Sequence, residues 1–96
     1  MSLSILYTST AKATLKNTYT YISIRFGARV AAKFLQKAEK TIALISEHPL
    51  MFKSSTIDIE VRIAFITKQC SLFYRVTNTS VQLLYFWDNR QEPLIE

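Results

Sequence analysis

The spacing of apolar residues changes character along this chain, and each change marks an element. Residues 3–7, "LSILY", read as a short strand. From Thr10, the apolar positions Leu15, Tyr19, Ile22 and Phe26 recur at helical steps and make one stripe of an α-helix. Ser9 or Thr10 is placed to cap it, a hydroxyl oxygen accepting a backbone N–H that the first turn leaves unpaired. Gly27, the only glycine, follows at once, where a helix can end on a left-handed residue. A second helix is expected from about Ala28 to Glu47, with Ala31, Phe34, Leu35, Ala38, Ile42 and Ile45 turned inward. Two helices joined so tightly make an antiparallel hairpin, which His48–Pro49 ends.

After Pro49 the period drops to two. Ile57, Ile59, Val61, Ile63 and Phe65 share one face and are expected to point at the core, while Asp58, Glu60, Arg62 and Ala64 share the other. "KQCS" turns the chain into "LFYRV", and "TNTS" turns it again into "VQLLYFWD". The predicted fold is α+β: an N-terminal strand, an antiparallel helical hairpin, then a three-strand antiparallel meander, with the helices packed on one sheet face. On this parity Arg62 and Arg75 both face away from the helices. Arg90, just past the last strand, joins them at the rim.

Composition narrows the chemistry. The 96 residues are 49% hydrophobic with one glycine and two prolines, which suits a single domain over 1–96 with no linker. The net charge of +5 is one-sided: Met1 to Ala38 holds Lys12, Lys16, Arg25, Arg29, Lys33 and Lys37 and no acid. Such a field favours anionic partners. Arg29, Lys33, Lys37 and Lys40 fall along one flank of the second helix, which suits a phosphate backbone, although a solvated face is the ordinary use of such a stripe. One glycine rules out a glycine-rich phosphate loop, and a single histidine and a single cysteine rule out a two-histidine metal site or a cysteine zinc cluster. Neither metal nor cofactor is expected. A His48–Cys70 nucleophile pair can be composed, but a buried thiol and a surface imidazole account for both residues. "SLSILY" is too short and polar for a signal peptide and no run is long enough to span a membrane, so the expectation is a cytoplasmic protein with no membrane partner.

Arginine is the chemistry that remains. A guanidinium binds phosphate or carboxylate through two parallel hydrogen bonds and stays charged at any cellular pH. Arg62, Arg75 and Arg90 on one face would hold an RNA phosphate and stabilise charge developing during cleavage, or grip an acidic peptide. Arg75 has a simpler use too, pairing across strands with a carboxylate such as Glu60. Trp87 and Phe86 suit base stacking or anchoring of a partner, with core packing expected for at least one.

The ordered set "ISEHPLMF", "VRIAFI", "SLFYRV" and "YFWDNRQEP" resembles the RelE/ParE superfamily of bacterial toxins from type II toxin–antitoxin, or plasmid stabilisation, systems. The resemblance spans nearly the whole chain, and the last two motifs are its most specific part. It implies a growth-inhibiting toxin neutralised by a cognate antitoxin with a small acidic binding segment. RelE-like members cut messenger RNA on the ribosome; ParE-like members poison DNA gyrase. The endoribonuclease reading assigns catalysis to Arg62 and Arg90. Yet Ala64 stands where that set has a second lysine, Ser71 where it has an arginine, and no tyrosine follows Tyr85; Glu92 is the remaining candidate base. The tally leans to gyrase inhibition, with mRNA cleavage and a non-toxic antitoxin-binding module as alternatives. Arg75, Arg29, Lys33, Lys37 and Trp87 are then partner- or phosphate-binding residues.

Overall fold

The computed structural model describes residues 3–89, so Arg90, Glu92 and Pro93 lie outside the described residues. The elements are β1 (Ser4–Tyr7), α1 (Ser9–Phe26), α2 (Ala28–Glu47), β2 (Val61–Thr67), β3 (Cys70–Val76) and β4 (Ser80–Asp88). The sheet order is β1-β4-β3-β2. The meander β2-β3-β4 is antiparallel, and β1 joins the outer side of β4 in parallel. The α+β class, the hairpin and the meander agree with the pattern of the sequence. Among the described residues, no helix is long and apolar enough to cross a membrane.

The core lies between the hairpin and one sheet face. Phe34, Ala38, Ile42 and Ile45 of α2 meet Ala64, Leu72, Tyr74, Val81, Leu83 and Phe86 of the sheet. α1 lies more superficially, with Ala11 its only fully buried residue and Leu15 and Ile22 half-buried against the core. Phe26, expected to face inward, is 52% exposed. It ends α1 where the chain reverses into α2, and its ring walls a groove instead of filling the core.

Threonines attach α1 to the sheet. Thr8, and not Ser9 or Thr10, is the cap: its Oγ1 accepts from Ala11 N at 3.0 Å and lies within reach of the carbonyls of Leu83 and Leu84. The strand ends at Tyr7 as the pattern implied, but α1 begins at Ser9, one residue earlier than expected, which leaves Thr8 as the capping hydroxyl. β1 is only four residues long, so much of β4 has no strand beside it there. Thr14 Oγ1 fills part of that gap, accepting from Phe86 N at 2.9 Å while donating to Thr10 O at 2.7 Å. Without it the Phe86 N–H would be an unpaired donor beside the core.

The second difference is in β2. Ile57 and Ile59 are not in a strand and are exposed. Ser55 Oγ accepts from Ile57 N and Asp58 N, and Asp58 Oδ1 accepts from Glu60 N at 3.0 Å, so side chains capture this backbone in turns. The strand begins at Val61, and its core face is Ala64 and Ile66, not Ile63 and Phe65. Phe65 is 72% exposed. Pairing fixes the parity: Ala64 stands opposite Leu72 and Arg62 opposite Tyr74, both in the core.

Candidate functional site

Arg62 therefore projects on the helix side of the sheet, not away from it. Its Nη1 donates to the carbonyls of Phe52 at 2.6 Å and Leu50 at 3.4 Å. The Tyr74 hydroxyl, from the facing strand, donates to Pro49 O at 2.9 Å, and the Phe52 ring meets the Tyr74 ring edge-on at 6.5 Å. Together they strap the segment after α2 to the end of the sheet. Residues 53–55 continue as a short pairing along β2, with Ile63 N bonded to Lys53 O and Ser55 N to Val61 O. A guanidinium committed to two carbonyls is a structural clamp. Arg62→Ala should cost about 1–2 kcal/mol of stability and raise hydrogen exchange in residues 49–55, read by urea melts and amide exchange. Unaltered exchange there would show that the clamp does not hold the segment.

Arg75 lies on the opposite face, two residues from Phe73, which stacks on Tyr85 with centroids 4.7 Å apart. Its carboxylate partner is Asp58 at 3.6 Å, not Glu60. Glu60 is not in a strand, whereas the turn at 55–60 brings Asp58 over the end of β3. The Arg75 Nε is buried with no hydrogen-bond partner, and so is the Trp87 indole N–H. Trp87 pairs with Ser71 on this face, while Phe86 takes the core position. Ser71 is buried, and its hydroxyl donates to Asn89 Oδ1 at 3.0 Å. Arg29, Lys33, Lys37 and Lys40 are all exposed along α2.

Arg62 and Arg75 thus stand on opposite sides of the sheet and cannot close on one phosphate. Phosphodiester cleavage needs positive charge and an acid–base group converging on the same atoms. The convergence of three guanidinium groups expected from strand parity does not form between these two, and Arg90 falls outside the described residues. What the opposite face offers is a stacked aromatic pair flanked by Trp87 and by Arg75, whose guanidinium is paired with Asp58. Sequence parity missed the clamp; the clue was that both faces of "VRIAFI" are apolar, which leaves parity undetermined.

Burial pushes the Cys70 thiol up to about 12, helped by the negative charge of Asp88. Burial also raises Tyr74 to about 12, against the pull of the Arg62 guanidinium. Cys70 is thus a thiol at neutral pH and not a nucleophile. His48 follows α2, beside the Pro49 that Tyr74 meets, whereas Cys70 lies four residues before Tyr74, roughly 13 Å along the strand. The pair is not assembled. Both groups release protons more readily unfolded, at ordinary values of 9.0 and 10.0, than folded. Their contribution to stability is complete below about pH 9 and is lost as pH rises toward 12. The urea midpoint should hold up to that pH and then fall, and Cys70→Ala should flatten the first part of the decline. A midpoint independent of pH up to 11 would contradict the buried environment of both groups.

At the far end of the hairpin, a groove of about 260 Å³ runs between the α1–α2 turn and the β2–β3 turn. Tyr21, Phe26 and Val30 supply apolar wall, Lys33 and Lys37 stand along α2, and Thr67 faces them.

Comparisons with known proteins agree with this architecture. No curated relative matches the sequence. Among solved structures, the fold is similar to a chain described as "Chromosomal ParDE TA system from P. aeruginosa", with a TM-score of 0.77 and 19% sequence identity. The similarity covers 91% of this chain and 96% of that one. The family model described as "ParE toxin of type II toxin-antitoxin system, parDE" matches residues 5–93, from the first strand through the "YFWDNRQEP" motif. With nearly its whole length matched, this chain belongs to the ParE toxin family of type II toxin–antitoxin systems.

Proposed function

We propose that this chain is a toxin that acts on DNA gyrase in the cytoplasm and is neutralised by a cognate antitoxin, and that it is not a ribosome-dependent ribonuclease. The observation that carries the choice is the placement of Arg62. One of the two arginines that the ribonuclease reading assigns to catalysis is spent on loop carbonyls, on the side of the sheet away from Arg75. Ser71, buried and bonded to Asn89, stands where a nuclease would need a cation. Arg75 and Trp87 are the target-facing residues in this reading, because both stand on the sheet face that the helices leave uncovered. Arg29, Lys33 and Lys37 provide the positive flank that meets an acidic antitoxin.

The deciding experiment is induction of this chain alone in a bacterial host, following labelled thymidine and labelled methionine over the first minutes. Thymidine incorporation should fail first, with methionine incorporation continuing. Purified protein should block supercoiling by gyrase, and Arg75→Ala should weaken the block. Prompt collapse of protein synthesis would overturn the assignment in favour of mRNA cleavage. Undisturbed growth would leave an antitoxin-binding module.

A further inference from the structure

The two helices of the hairpin are unequal. α2 buries Ala31, Phe34, Ala38, Ile42 and Ile45, whereas α1 buries Ala11 alone. Two large apolar residues of α1, Ile24 and Phe26, are 82% and 52% exposed. α1 is also a weak helix in its own right. Thr10, Thr14, Thr18, Thr20, Ile22 and Ile24 make a third of it β-branched, and such side chains lose rotamer freedom against the preceding turn. Lys12 and Lys16 are like charges one turn apart, and α1 contains no acid to offset them. α2 is built from better helix formers, with five alanines in its 20 residues.

Hydroxyl groups fasten the N-terminal half of α1 to the sheet. Thr8 Oγ1 reaches the carbonyls of Leu83 at 2.8 Å and Leu84 at 2.9 Å, and Thr14 Oγ1 accepts from Phe86 N at 2.9 Å. These bonds are only partly buried, so water replaces them at small net cost. β1 is held without α1. It pairs with β4 from Ser80 to Leu83, Leu3 N donates to Ser46 O at 3.1 Å, and Ser46 Oγ donates to Leu3 O at 2.8 Å. At the other end of α1, Gly27 is a joint whose backbone angles change at little steric cost. We infer that α1 is a latch that opens as a unit between Thr8 and Gly27, while β1, α2 and the meander stay folded. Closed, Thr14 stands in for a neighbouring strand at Phe86. Open, the N–H of Phe86 and the carbonyl of Leu84 belong to a bare strand edge, the template for main-chain pairing.

The test is native-state amide exchange on the full chain, corrected for intrinsic rates. Amides of residues 15–22 and of Phe86 should exchange about tenfold or more faster than those of residues 38–42 and of Leu72 and Tyr74. Thr14→Val keeps the shape and the branching but loses the acceptor, and should speed exchange in α1 and at Phe86 by about tenfold. Thr14→Ser keeps the hydroxyl and should restore most of the protection. Ile66→Val trims the core at β2, the far edge of the sheet from β1. It should speed exchange at residues 38–42 and at Leu72 by about fivefold and leave α1 unchanged, because the open form keeps that part of the core. Equal protection of α1 and α2 in the unaltered chain would overturn the inference, and so would α1 amides that follow Ile66→Val. Exchange at Phe86 as fast in Thr14→Ser as in Thr14→Val would also overturn it. The comparisons within the unaltered chain and with Ile66→Val hold whether or not a Thr14 variant folds, and none of the readouts depends on toxicity.

Discussion

Leu83→Ala is expected to lower the free energy of unfolding by about 3 kcal/mol, the cost of a leucine-to-alanine cavity that its surroundings cannot close. Leu83 is fully buried in β4, the strand that touches both β1 and β3. Its partners in register are Tyr7 on one side and Tyr74 on the other. Its carbonyl is also a shared anchor, accepting from Thr8 N at 3.1 Å and from Thr8 Oγ1 at 2.8 Å, so the backbone here has little freedom to collapse into a void. Domains of this size have total stabilities on the order of 5–10 kcal/mol, so the variant should lose a large share of its margin. Thermal melting should drop by roughly 10–20 °C. Leu84→Ala, one residue on at the half-buried β4 irregularity, should cost about 1 kcal/mol or less. Equal losses from the two variants would mean that β4 does not pack on the hairpin as described.

The next largest effect is expected at the hairpin turn. Gly27 has φ 98° and ψ 164°, a region that only glycine enters without strain. It is at once the end of α1, donating its N–H to Ser23 O at 3.0 Å, and the start of α2, accepting from Ala31 N at 3.2 Å. A Cβ added there meets nothing within 4 Å, so the cost of a side chain is backbone strain alone. Gly27→Val should therefore destabilise by about 2–3 kcal/mol, with Gly27→Ala somewhat less. D-alanine at the same position, introduced by chemical ligation, reverses the handedness of the argument. It should be neutral or stabilising, because it adds a Cβ on the permitted side and restricts the unfolded chain. A D-alanine variant as unstable as the L-alanine one would show that space, not conformation, governs the turn. Since Phe26 and Val30 flank this residue, the L-variants should also disturb the groove.

The helical part was legible because its signals agree with one another. The stripe on α2 is regular, the single glycine marks the reversal, and Pro49 marks the end; α2 runs over the residues expected, Ala28–Glu47. β3 was legible too, since Leu72 and Tyr74 alternate with Phe73 and Arg75 and only one assignment lets the arginine leave the core. β2 was not. Ile57 and Ile59 extend the alternation of Val61, Ile63 and Phe65, so the eye follows one long strand with Arg62 outside. Ser55 and Asp58 interrupt that strand with turns, as short polar side chains near their own backbone often do. Beyond the turns, the smaller residue, Ala64, takes the place where α2 comes close.

The sequence by itself determined the family, the two-layer architecture and the one-sided positive charge of the hairpin. The family rests on a resemblance carried by motifs in order along the chain, the other two on local spacing and composition, and none of these needs a partner from elsewhere in the chain. Only the tertiary structure decided which side of the sheet each arginine serves. Parity in a strand with apolar residues on both faces is set by what packs above it and by its pairing partner. Here the pairing of Arg62 with Tyr74 and of Val61 with Arg75 sends the two guanidinium groups to opposite faces, one to clamp a loop and one to pair with Asp58.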